Sequence, residues 1–280
     1  MFIPALHSGF GAPIGPIVHN IAAFGYRGVR AEQGVSLDLT AAVAEEILFA
    51  GMTPIVIVFQ PEHIDALPDV PILLCPDNEP DLADNHRPIC PRTTAMEPGD
   101  YLGLVHRICE RAKPAHLVCA GEVSNPNARG RAFMEAIVPH LPSRVDALSW
   151  HRYPAGGRSE GVMVPHDGFA NRAAETEYLW RMSGDRMLAI TEGGYHTGAR
   201  GGTSFIDRWL GRKPRRWSED DIVHLWHDEW AFWARAEEAN PGKLLTVVRY
   251  QINDGPSDHY LDRFGIRYAD GSWKPSAQMG

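Results

Sequence analysis

A chain of 280 residues, 44% hydrophobic and 22% charged, has the composition of a folded globular protein, which excludes disordered, collagen-like and fibrous classes. Its 27 basic and 35 acidic residues leave a net charge of −8, a poor match to phosphate backbones, so nucleic acid is not expected as the main partner. No run approaches the ~18 consecutive apolar residues of a membrane-spanning helix, so no membrane partner is expected either.

The opening Met1-Phe2-Ile3-Pro4-Ala5-Leu6-His7 lacks the charged segment and long apolar stretch of a secretory leader. A cytoplasmic location is therefore expected, with a secreted mature form, its leader already removed, as the alternative. Cys75, Cys90, Cys109 and Cys119 show no C-x-x-C spacing and do not suggest a disulfide scaffold. Cys75 and Cys119 lie inside apolar runs, where a small buried thiol is the default.

Short apolar, β-branched runs recur at 3–7, 28–30, 55–59, 72–75, 116–119, 145–150, 187–190 and 244–250, giving eight expected strands. Helical spacing fills much of the intervening sequence: 39–50 behind Asp38 as N-cap, then 100–112, 127–141, 171–182 and 218–240, the last with an acidic capped start at Ser218-Glu219-Asp220-Asp221. The third crossover, about 61–70, has room for little more than one helical turn. Apolar strands alternating with helices imply a parallel sheet covered on its outer face, and eight such units close most naturally as a single (β/α)8 barrel spanning 1–280.

In such a barrel the chemistry gathers on the loops after the strands. The residues following the eight runs are His7; Arg30 and Glu32; Gln60, Glu62 and His63; Asp77-Asn78-Glu79-Pro80; Gly121-Glu122; His151-Arg152-Tyr153; Thr191-Glu192-Gly193-Gly194-Tyr195-His196; and Gln251-Ile252-Asn253-Asp254. This mouth is rich in carboxylates and aromatics. Two carboxylates across it suit glycosidic bond cleavage, in which one protonates the leaving oxygen and the other attacks or stabilises the anomeric carbon.

Asn78-Glu79-Pro80 after the fourth run and Thr191-Glu192-Gly193-Gly194 after the seventh resemble the large clan of retaining (β/α)8 glycoside hydrolases, which includes cellulase-like, mannanase-like and β-xylosidase-like families. The resemblance implies that Glu79 is the acid/base and Glu192 the nucleophile. It also implies that Arg30 holds the nucleophile's region by charge-assisted hydrogen bonds, that His151 and Tyr153 flank the two glutamates, and that Asn78 binds a sugar hydroxyl. The tail from Phe264 to Ala277 resembles the clan's ending, where a strand leads through Asp-Gly and Lys-Pro into a last helix. Many members carry a tryptophan at the end of strand eight; here Tyr250, Gln251 and Asn253 stand in that stretch.

Tyr195 and Gln251 complete the expected substrate-binding set, with His63 and His196 as further rim candidates. Duller alternatives stand beside these. Arg30 could form a rim ion pair with Glu32, Glu122 reads equally as a third site acid or a surface residue, and Trp150 reads as packing. The basic run Arg212-Lys213-Pro214-Arg215-Arg216 reads as a solvated loop. No His-Glu-x-x-His, dinucleotide fingerprint or Gly-x-Ser-x-Gly elbow occurs, so no metal or organic cofactor is expected. The expected partner is an oligo- or polysaccharide. The alternative function is a catalytically silent carbohydrate-binding barrel.

Overall fold

The computed structural model describes residues 2–7, 15, 17–83, 93–153, 166, 168–195, 218–250, 265–268 and 270–277. Eight parallel strands run β1 (Ile3–His7), β2 (Gly28–Glu32), β3 (Thr53–Val58), β4 (Leu73–Pro76), β5 (Leu117–Val123), β6 (Ala147–Arg152), β7 (Met187–Gly193) and β8 (Leu244–Tyr250). They pair in chain order, and β8 returns to β1 through the register Ile3↔Thr246 to His7↔Tyr250, closing the barrel. The fold is thus the expected (β/α)8 barrel.

The helices are α1 (Val18–Ala23), α2 (Leu37–Phe49), α3 (Pro98–Arg111), α4 (Ala128–Ile137), α5 (Arg172–Ser183) and α6 (Glu219–Ala239). The short third crossover is a 3-10 segment, Pro61–Ala66, as its length required. Helix starts follow local chemistry. Asn127 and Asn171 cap α4 and α5 through their side chains, and Ser218 with Asp221 forms a capping box on α6. On α2 the cap is Ser36, whose hydroxyl accepts from the Leu39 amide, and Asp38 sits inside the first turn. The placement of Asp38 as cap is corrected accordingly. In the tail the described residues hold an isolated antiparallel bridge, Arg267↔Trp273, and a 3-10 turn, Pro275–Ala277.

Strand alternation sorts the side chains into two sets. Val56, Val58, Leu74, Val118 and Leu148 pack with Tyr101, Leu104, Val105, Ile108, Phe133 and Met134, forming the layer between sheet and helices. Ile3, Ala5, Ile55, Leu73, Cys75, Cys119, Ala147 and Ala189 cluster separately as the filling of the barrel. Further along the same strands the filling becomes polar, ending in His7, Arg30 and His151, all buried. The apolar filling therefore floors a charged layer beneath the mouth. No helix among the described residues is long and apolar enough to cross a membrane.

Candidate active site

Three local devices aim the carboxylates. On β5 the register against β6 slips between Ala120 and Val123, leaving one extra residue on β5. Gly121 sits at this bulge with φ +125°, and a Cβ there would lie 2.3 Å from the Ser149 carbonyl oxygen, so glycine alone fits. The bulge turns Glu122 into the barrel, with its amide donating to Ser149 Oγ at 3.0 Å. On β7 a similar slip, with His151 paired to Glu192 and Trp150 to Ile190, presents Glu192. After β4 the chain passes through left-handed backbone at Asp77 (φ 62°) and Glu79 (φ 49°), as it does at Glu122 (φ 51°). These three are the non-glycine residues of positive φ among those described, and they stand together at two adjacent strand exits. The Glu79 amide donates to the Glu122 carbonyl at 2.9 Å, tying those exits together.

Arg30 is the hub. It is fully buried, donating from Nη1 to Glu192 Oε2 at 2.8 Å and from Nη2 to Asn78 Oδ1 at 2.8 Å and Glu122 Oε2 at 2.6 Å. Val29 and Ala31 pack on the outer side of β2, so Arg30 points into the barrel and meets these partners there rather than at the rim. Glu122, likewise 0% exposed, is not a surface residue. His151 Nδ1 lies 3.2 Å from Glu79 Oε1, and the Tyr153 hydroxyl donates to Glu192 Oε1. His7 Nδ1 approaches Glu192 Oε2 at 3.4 Å. The ring of Tyr250, at the end of β8, sits 5.1 Å from that of His7 and 6.3 Å from that of Tyr153.

The structure thus brings together Arg30, Asn78, Glu79, His151, Tyr153 and Glu192, and adds His7, Glu122 and Tyr250 to them. Tyr195 goes elsewhere: its hydroxyl donates to Glu229 of α6 at 3.3 Å and its ring meets Trp226 edge-on. Beyond the Gly193-Gly194 pair the strand no longer sets side-chain direction, and Tyr195 packs under α6. His63 is also buried, 2.7 Å from Thr40 Oγ1. Trp150 is wholly buried and packs edge-on to Tyr178, the packing role expected of it. Gln251, Asn253 and His196 lie outside the described residues, as do Cys90 and the basic run 212–216.

The electrostatics follow from this geometry. Burial alone would raise the Glu122 carboxyl, but Arg30, then His151 and Ser149, outweigh it and hold the group at about 2. Glu192 is likewise buried, and His151, His7 and Arg30 hold it well below the usual carboxylate range. Burial would discharge His151, yet Glu192, Glu122 and Glu79 raise it to about 10. Burial lowers His7, which favours its neutral ring. Burial, and next the negative Glu192, push the Tyr153 phenol well up, so it stays a donor.

These shifts fix a pH window. The depressed carboxyls stabilise the fold above their ordinary value of 4.5, and that contribution is lost as pH falls toward about 2. The raised His151 stabilises the fold fully below 6.5, and its contribution is lost as pH rises through about 10. His7, lowered by burial, gives up stability as pH falls below 6.5, so thermal midpoints measured across pH are expected to peak near 6.5 and to fall on both sides. A profile that is flat from pH 3 to 9 would contradict the charged cluster.

One group of three His, Cys, Asp or Glu side chains among the described residues has its donor atoms within 4.8 Å of one another: Glu79, His151 and Glu192. Both Glu192 oxygens already accept protein hydrogens, from Arg30 and Tyr153, and His151 Nδ1 faces Glu79. A hard cation wants several uncommitted oxygens. The donor set suits proton transfer better than cation binding.

No protein-family model matches the sequence, and no curated protein matches it. By fold, the chain is a (β/α)8 barrel of the kind that glycoside hydrolases use. A family 39 glycoside hydrolase from the gut symbiont Bacteroides cellulosilyticus WH2 superposes with a TM-score of 0.59 at 13% identity, over 99% of this chain but 61% of the other, so the chain spans less than two thirds of that protein. The family 17 β-1,3-glucanosyltransferase of Rhizomucor miehei gives 0.58 at 14% identity, over 99% and 98% of the two chains. An active-site mutant of the Rhizomucor enzyme has been solved with laminaritriose. The mannanase catalytic domain from Streptomyces sp. SirexAA-E gives 0.52 at 13%, over 100% and 82%. The structural neighbours are thus carbohydrate-active barrels of the clan that the sequence resembles, and likeness at these identities establishes the shared fold.

Proposed function

We propose that the protein is a retaining β-glycoside hydrolase acting on an oligo- or polysaccharide, with Glu192 as nucleophile and Glu79 as acid/base. The observation that carries this is the spacing of the pair: a Glu79 carboxyl oxygen and a Glu192 carboxyl oxygen lie within 4.8 Å. Retaining pairs have their carboxyl groups ~5–5.5 Å apart, which oxygens this near each other fit better than the ~6.5–9.5 Å by which an inverting pair admits a water. Partial exposure also suits Glu79, whose side chain is 18% accessible beside the buried Glu192.

In the first step a Glu192 oxygen attacks the anomeric carbon as its bond to the leaving oxygen breaks, and Glu79 gives that oxygen a proton. In the second, water attacks the glycosyl–Glu192 ester, Glu79 takes the water's proton, and the Glu192 carboxylate is released. Arg30 and Tyr153 hold Glu192 in the ionised form that the first step needs. Tyr250 offers an aromatic wall where many clan members have tryptophan. We propose that the 1–280 segment works as a single catalytic domain.

The test is sugar release from a panel of β-linked polysaccharides and aryl glycosides, with wild type beside Glu79→Gln. Wild type is expected to release the β-anomer first, as followed by NMR. Glu79→Gln is expected to lose roughly 10²–10⁴-fold on natural glycosides and much less on aryl glycosides, whose leaving group departs without a proton. An inverted first product would overturn the mechanism. Tight saccharide binding without cleavage would favour the silent carbohydrate-binding barrel.

A further inference from the structure

We propose that Glu122 is a positioning residue that holds His151 as an imidazolium ion between the two catalytic carboxylates, keeping its Nδ1–H aimed at Glu79. The choice of Glu79 and Glu192 as the reacting pair is taken from the proposed function; the charge state of His151 can be read without it.

Counting hydrogens carries the inference. Arg30 Nη2 bears two, and they go to Asn78 Oδ1 at 2.8 Å and Glu122 Oε2 at 2.6 Å. His151 Nε2, 3.3 Å away, is a third neighbour that could at best share one of them. The carboxylate nearest that nitrogen is Glu122, with Oε2 at 3.5 Å. On the other side of the ring, Nδ1 has Glu79 Oε1 at 3.2 Å and Glu192 Oε2 at 4.0 Å. Both ring nitrogens therefore face carboxylate oxygens in a buried layer, and a neutral ring would turn a lone pair toward one of them.

Charge balance leads the same way. Arg30 is one cation set between two buried anions, Glu122 and Glu192. An imidazolium at His151 neutralises the pair while Glu79 carries the proton it is to donate. Once Glu79 has given that proton up, the adjacent imidazolium stabilises the carboxylate left behind. The other groups around the ring do not supply this charge. His7 from β1 is lowered by burial, and the Tyr153 and Tyr250 phenols and the Cys75 thiol are all raised by burial and stay neutral. The β5 bulge turns Glu122 inward, and Gly121 is the residue that permits it.

The experiment is an NMR titration of the histidine rings in the 15N-labelled full chain, with His151→Asn to assign the signal. Wild-type His151 is expected to remain an imidazolium at pH 7.5; a neutral ring there overturns the proposal. In Glu122→Gln the ring's midpoint should fall by about two pH units, the scale of losing an opposite charge at this range. Glu122→Asp, which keeps the charge but withdraws it by one methylene, should lower the midpoint part-way and serves if the glutamine variant does not fold. A midpoint unmoved in these variants also overturns the proposal. On a cleaved glycoside, the alkaline limb of kcat/KM should move with the ring; a lower kcat with that limb fixed would mark a merely structural residue and overturn it. Silence of wild type toward every glycoside would sink the hydrolase assignment while leaving the titration result standing.

Discussion

Glu192→Gln is expected to lower kcat by about four orders of magnitude or more, the scale on which loss of a covalent nucleophile is felt. The amide oxygen can still accept from Arg30 or Tyr153, so the fold should survive. Circular dichroism and the thermal midpoint would verify this before any kinetic comparison. What the amide lacks is the negative charge that those donors hold in place, and with it the ability to form a glycosyl ester. Product anomers followed by NMR and turnover on an aryl glycoside are the two readouts. Retention of most activity would remove Glu192 from the nucleophile role.

Arg30→Met should produce the largest loss of stability. The methionine fills much of the same space but leaves Glu122 and Glu192 facing each other across a buried gap. Breaking a buried pair from one side typically costs about 3–5 kcal/mol, because the remaining charge is uncompensated. Here Glu122 and Glu192 are left with the His151 imidazolium alone between them, so urea unfolding should show a loss within that range. Adding Glu122→Gln to Arg30→Met should recover part of it, since one orphaned anion is then gone, and a double-mutant cycle would give the coupling. A loss below about 1 kcal/mol would be incompatible with Arg30 as the hub.

The barrel was legible because eight apolar runs alternate with helical spacing, and the exits of β4 and β7 were legible because charged residues there follow buried ones. Residues whose direction depends on irregular backbone were not. Glu122 reads equally as a site acid or a surface residue; simple alternation from Val118 and Ala120 would turn it toward the helix layer, and the one-residue slip at Gly121 reverses that. The signal was a glycine inside a strand-like run, which marks a bulge or a close backbone approach. Tyr195 fails for the opposite reason: two glycines precede it and free the chain from strand geometry, so proximity in sequence to Glu192 carried no information about direction. His7 was visible as the end of the first run, but its approach to Glu192 depends on the β8–β1 closure, a contact between chain ends that local patterning does not report.

The tie between the β4 and β5 exits bears on how this scaffold can be re-engineered. Besides the amide bond from Glu79 to the Glu122 carbonyl, Asp81 accepts from both the Ser124 amide at 2.8 Å and the Ser124 hydroxyl at 2.7 Å. Residues 77–81 and 121–124 therefore behave as one cassette. A loop graft that imported a new acid-bearing segment after β4 alone would strand the Asp81 partners and release the backbone that Glu122 helps to hold. Loop exchange on this scaffold should transplant both segments together.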